Sequence, residues 1–128
     1  MDLTPDDRDH IRVLLQRQGF HEQYQDREVE VLISWWRHLV EQCQSELIIR
    51  RDHFLEDVHI RTVLQALLDG LRARVADMVR AAIEQSDTLY RSMLPEADDF
   101  LLEPNIRSRY PREVYFWLHG VPKSVKFK

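Results

Sequence analysis

Residues 52–94, DHFLEDVHIRTVLQALLDGLRARVADMVRAAIEQSDTLYRSML, decide the class of the fold. Ile60, Leu64, Leu67, Leu68, Leu71, Val75, Met78, Val79, Ala82, Leu89 and Met93 recur there at helical spacing. At 100° per residue they fall within an arc of roughly 120°, with no slip of phase. Asp69, Asp77, Arg80, Glu84, Asp87 and Arg91 fill the opposite side, and Asp57/Arg61 and Asp87/Arg91 form i,i+4 pairs of opposite charge. Such pairs are worth a few tenths of a kcal/mol each. Gly70 sits on the flank of the stripe and weakens a helix by about 1 kcal/mol relative to Ala. Pro95 ends the run, because it has no N–H to donate and disfavours helix at the residue before it. The pattern predicts one unbroken helix from Asp52 to Leu94.

Upstream, Thr4-Pro5-Asp6-Asp7 is a helix start, with Thr as N-cap, Pro at N1 and acids in the first turn. Ile11, Leu14 and Leu15 give a short apolar stripe, and Gly19 followed by Phe20 reads as a C′ glycine with its hydrophobic contact. A helix over residues 5–18 follows. A second helix begins between His21 and Asp26 and carries Val29, Leu32, Ile33, Trp36, Leu39, Val40 and Cys43 on its core face. Val31 and Trp35 fall outside that face, as does Tyr24 if the helix starts early. The apolar arc then widens to about 200°, where a surface helix needs roughly 100°. Leu47-Ile48-Ile49 continue the apolar run, and Arg50 to His53 make the turn into the long helix, so that the second and third helices are antiparallel neighbours.

After Pro95 the composition changes. Residues 96–105 read as a linker, acidic at Glu96-Ala97-Asp98-Asp99, anchored by Phe100-Leu101-Leu102 and broken at Pro104-Asn105. Within 111–119 a short helix is predicted, with Pro111 at N1 and Gly120 at C′. A strand through Val114–Leu118 competes, since β-branched and aromatic residues dominate there. The sequence therefore divides into a helical bundle over 1–95 and a C-terminal arm over 96–128. The fold class is all-α: an elongated bundle of three main helices, one of them long, with an aromatic, basic arm.

Composition agrees. The 128 residues are 44% hydrophobic and 31% charged, a globular balance, and 3 Gly with 5 Pro leave little turn material for a many-stranded β fold. No apolar run approaches the ~20 residues needed to span a bilayer, and the acidic start is unlike a secretory signal. One cysteine, Cys43, suits a reducing compartment. These features predict a cytoplasmic protein with no membrane partner. Charge is uneven: residues 1–103 carry 12 arginines against 21 acids, whereas residues 104–128 carry six cations against Glu113 alone.

Chemistry-bearing constellations are sparse. Glu56 and His59 have the Glu-x-x-His spacing of di-iron bundles, with His53 and Asp57 nearby, but such sites need two motifs and two further core glutamates. Asp7-Arg8-Asp9-His10 is a weaker parallel. Glu56 and Asp57 read more simply as acids in a helix first turn. Cys43 lies on a core face and reads as a small buried hydrophobe. No phosphate loop, nucleophile elbow or Cys-x-x-Cys pair occurs. No catalytic residue, metal ligand or cofactor is assigned.

The expected function is a non-enzymatic protein–protein interaction module, an adaptor, regulator or assembly factor acting through helix faces and the arm. Val31 and Trp35 are the expected contacts on the helix face, because aromatics are enriched at interfaces. Arg107, Arg109, Tyr110, Arg112, Tyr115, Phe116 and Trp117 are the expected contacts on the arm. Cations interleaved with rings also suit single-stranded nucleic acid, which makes a nucleic-acid-associated regulator the alternative. The acidic body opposes it. A small metal-dependent enzyme is a distant third. A homodimer is expected, because a helix from Asp52 to Leu94 would be about 60 Å long. A globule of this size is only about 35–40 Å across, so a second copy would cover the bare end.

Overall fold

The computed structural model describes residues 1–128. Helix α1 (Pro5–Arg17) begins as its sequence dictates: the Thr4 hydroxyl accepts from the Asp7 amide, and the Asp7 carboxylate accepts from the Thr4 amide, each at 3.0 Å. It ends at Gly19, whose φ of 75° permits the amides of Gly19 and Phe20 to reach back to Gln16 and Leu15. A single turn, α2 (Glu22–Gln25), and then α3 (Val29–Gln42) replace the one helix expected from the region after His21. Val29, Leu32, Ile33, Trp36, Leu39, Val40 and the following Cys43 are all buried, so the core face of α3 is the one the sequence indicates.

The stretch 52–94 is not one helix. It folds as α4 (Arg51–Gly70) and α5 (Ala73–Met93), separated by two extended residues, Leu71 (ψ 158°) and Arg72 (ψ 147°). The cause lies outside the stretch. Leu14 of α1 packs on the bare backbone of Gly70, where an added Cβ would stand 2.8 Å from its Cδ2. Arg72 and Arg74 pair with Asp6 and Asp7 at the N-terminus of α1, at 2.9 and 2.5 Å. These contacts fix the turn, and α4 and α5 both pack on α3. The chain covers much of its apolar stripe by doubling back on itself. The 60 Å rod that argued for a homodimer is therefore gone.

Burial also corrects the phase of α5. Val75, Ala76, Val79, Ile83, Asp87 and Tyr90 are buried, whereas Ala82 is exposed and Met78, Leu89 and Met93 are half-buried. Asp87, read as a solvent-side acid, accepts from Arg61 at 2.9 Å through both carboxylate oxygens and from Trp36 Nε1 at 3.0 Å. Arg61 also donates to Gln65 at 3.1 Å. The i,i+4 pairs Asp57/Arg61 and Asp87/Arg91 are thus replaced by one ion pair between helices. Helix α4 is central: Phe54, Val58, Ile60, Arg61, Val63, Leu64, Gln65 and Leu67 bury most of its circumference.

The C-terminal segment closes this arrangement. Residues 99–101 pair with 118–119, a 3₁₀ turn spans Pro104–Arg109, and a second spans Phe116–Leu118 where a longer helix within 111–119 was expected. Leu47–Ile49, read in the sequence only as a continued apolar run, is strand β1, pairing in parallel with β2 (Val125–Phe127). Phe116, Trp117, Leu118 and Val125 belong to the same hydrophobic cluster as the helices. The fold is all-α apart from this small ribbon, and no helix is long and apolar enough to cross a membrane.

Candidate functional site

The residues of highest expected interest separate into two environments. On the arm, Trp117 is fully buried and donates from Nε1 to Thr62 Oγ1 at 2.9 Å, with the Arg61 guanidinium 4.3 Å from its ring centre. Phe116 is buried beside it, capped by Arg91 at 4.2 Å. Tyr110 and Tyr115 are half-buried and meet edge to face at 5.0 Å. Arg107 pairs with Asp98, and Arg112 donates to the Glu96 carbonyl at 2.9 Å. His119 is buried, with Nδ1 at 2.7 Å from Asp98 and Nε2 at 2.5 Å from the Tyr110 carbonyl. The hydrogen bond between His119 and Asp98, with Arg107 nearby, holds the Asp98 carboxyl below the usual carboxylate range. Only Arg109 is left exposed and unpaired among the residues named on the arm. Phe116 and Trp117, so placed, offer no ring face to an outside molecule.

Around Trp35 the surroundings are open. The turn α2 is held by the His21 imidazole, which accepts from the Gln23 amide at 3.1 Å, and by Gln25, which donates to the Phe20 carbonyl at 2.7 Å. That turn buries Tyr24 and aims it edge-on at Trp35, 6.3 Å away on the second turn of α3. From α4, His59 enters between Phe20 and Tyr24, at 5.8 and 5.9 Å. Phe20, Tyr24, Trp35, Leu39, Leu55 and Ile60 supply the apolar lining of a groove of about 1130 Å³ between α2, α3 and α4. Trp35 is half-buried, and its ring carries the Arg27 guanidinium at 5.7 Å. Val31, one helical turn before Trp35, is half-buried and lies outside the lining.

The polar lining is one-sided. Asp52, Glu56 and Asp57 face the groove with His21, His38 and His59, and no lysine or arginine lines it. Burial raises the Asp57 carboxyl above its ordinary value, His53 at 3.6 Å opposing this in part. Burial likewise lowers the His59 imidazole, favouring its neutral form, and raises the Tyr24 phenol. Glu56 and His59, singled out as a metal motif, both line the groove, yet nowhere do three or more His, Cys, Asp or Glu side chains gather to hold an ion. Burial pushes the Cys43 thiol up to about 11, away from the thiolate that nucleophilic chemistry uses.

Sequence reasoning found Trp35 as an aromatic without cover, but not its companions. Phe20 was explained by the end of α1, and Tyr24 had no place on a helical face. Glu56 and Asp57 were explained by the start of α4, and only the turn at α2 brings these groups to one surface. Comparison with protein-family models, curated proteins and solved structures finds no match for this chain.

Proposed function

We propose that this chain is a non-enzymatic protein–protein interaction module, an adaptor, regulator or assembly factor, which docks a segment of a partner protein in the groove between α2, α3 and α4. The observation that carries this reading is the half-buried Trp35 in an open groove of about 1130 Å³, in a molecule whose other two tryptophans are fully buried. Small-molecule pockets enclose their ligand and run to about 1,000 Å³ at most. An open groove of this size with an aromatic floor suits a chain segment, and aromatic anchors dominate binding at interfaces. The single buried thiol suits work in the reducing cytoplasm. The alternative, association with nucleic acid, keeps the exposed Arg109, Lys123, Lys126 and Lys128 but loses Phe116 and Trp117 as stacking rings.

Affinity capture from the native cell, quantified for the wild-type chain, Trp35→Ala and Arg80→Ala, tests the reading. Arg80 pairs only with Asp77 on the surface and serves as a control. A partner retained by wild type and Arg80→Ala and lost with Trp35→Ala is the expected result. Partners indifferent to Trp35, or lost only when nuclease is added, overturn it.

A further inference from the structure

Resting on the docking reading, we infer that the occupant of the groove is a protein segment presenting an arginine or lysine side chain between apolar residues. Three observations converge. The lining holds three carboxylates and no cation of its own. Some surface acids elsewhere have arginine partners, as in Arg8 with Glu28 and Glu30 or Arg80 with Asp77, and these show the geometry such a pair takes on this chain. In the groove, Asp52 is paired with Arg50 at 2.9 Å, Glu56 has neither a hydrogen bond nor an ion pair, and Asp57 faces only His53 at 3.6 Å. Asp57, partly withdrawn from water with no arginine or lysine beside it, is the acceptor that an incoming guanidinium or ammonium satisfies, and the exposed Glu56 next to it adds a second charge. The aromatic floor is suited to the same group. Trp35 already receives the guanidinium of Arg27 at 5.7 Å, so its ring is of the kind a cation seeks. Phe20, Leu39, Leu55 and Ile60 supply contact for the apolar residues on either side. A polyanion is repelled by this lining, and a purely apolar segment leaves Glu56 without a partner and Asp57 with His53 alone.

The test uses the intact chain and two tryptophan-free peptides, acetyl-Leu-Arg-Leu-Leu-Arg-Leu-amide and its twin with glutamine for both arginines. Trp36 and Trp117 are fully buried, so a change in tryptophan emission on titration reports Trp35. The arginine peptide is expected to shift that emission and to bind at least tenfold more tightly than its twin. Its affinity should fall as salt rises from about 50 to about 500 mM. Loss of two partly exposed ion pairs in the double variant Glu56→Gln, Asp57→Asn should weaken the arginine peptide by about tenfold and leave the glutamine peptide unchanged. Far-UV circular dichroism verifies that the variant is folded. Equal, salt-insensitive binding of both peptides overturns the cationic occupant and leaves the docking reading standing. Binding of neither peptide at about millimolar concentration overturns both.

Discussion

The arm and the α2–α3–α4 groove use the same side chains to opposite ends. Trp117 and Trp35 are both tryptophans beside an arginine and other rings. Trp117 has its indole N–H on Thr62, its face on Arg61 and no exposed surface. Trp35 has an edge contact from Tyr24, Arg27 over its ring and a groove in front of it. Beneath the arm the charges are matched, Arg61 against Asp87. In the groove Asp52 has Arg50, Asp57 has only His53, and Glu56 has no ion pair. An aromatic, charged sequence is thus no sign of function by itself. What distinguishes the two regions is whether the aromatic rings are covered from within the chain: Trp117 is, and Trp35 is only in part.

That comparison breaks first at Trp117. Trp117→Ala should cost about 3–5 kcal/mol in chemical denaturation, the loss expected for emptying a filled aromatic site. A loss below about 1 kcal/mol would mean that the arm rests on the body without completing it. Asp87→Ala comes next, at about 3 kcal/mol, because it strands the buried Arg61 and the indole N–H of Trp36. Replacing both charges, with Arg61→Met and Asp87→Leu, should recover most of that loss, as buried pairs exchanged for apolar residues of similar volume often do. Trp35→Ala sharpens the contrast from the other side. A half-exposed ring should cost about 1 kcal/mol at most in stability while removing groove binding.

The smallest effect has the opposite sign. Burial raises the Asp57 carboxyl, so its ionised form is disfavoured in the folded chain. A folded value above the unfolded one means that stability from this group is present at low pH and lost as pH rises through the folded value. At neutral pH the Asp57→Asn variant should therefore melt at a slightly higher temperature than wild type, and the gap should close as pH falls toward 4. Asp7 behaves inversely. Its hydrogen bonds from Thr4 and Arg74 lower it to about 2, so its contribution is whole above about pH 4 and fades toward pH 2. An Asp57→Asn variant less stable than wild type at pH 7 would assign Asp57 to structure rather than to recognition.

How much of this was legible depends on how far apart in the chain the deciding groups lie. The caps of α1 were legible because Thr4, Pro5, Asp7 and Gly19 act within a few residues. The class was legible because α3 keeps its period over four turns. The break at Leu71–Arg72 was not, since no proline marks it and its causes, Leu14 and the Asp6–Asp7 pair, lie in another helix. The phase of α5 left a trace in Ile83 and Tyr90, apolar residues off the expected stripe that share a face with Asp87. Strands β1 and β2 are three residues each, too short to show a period, and their pairing joins distant segments. At the groove only Trp35 announced itself, and its neighbours were each accounted for by a nearer, local role.

The parallel pairing of β1 with β2 has a consequence for how the protein is made. Residues 125–127 leave the ribosome after every helix has been synthesised, as do Phe116 and Trp117. Until they arrive, Leu47 and Ile49 have no strand partner, and Arg61, Thr62 and Tyr90 lack their aromatic roof. Contacts between segments so far apart in sequence form slowly. A nascent chain complete through α5 is therefore a partly assembled bundle with a sticky apolar flank, and a purified chain should show a late folding phase in which Trp117 becomes shielded after helix formation is complete. Chaperones that bind exposed aromatic surface have their opportunity in that interval, which ends when β2 seats against β1.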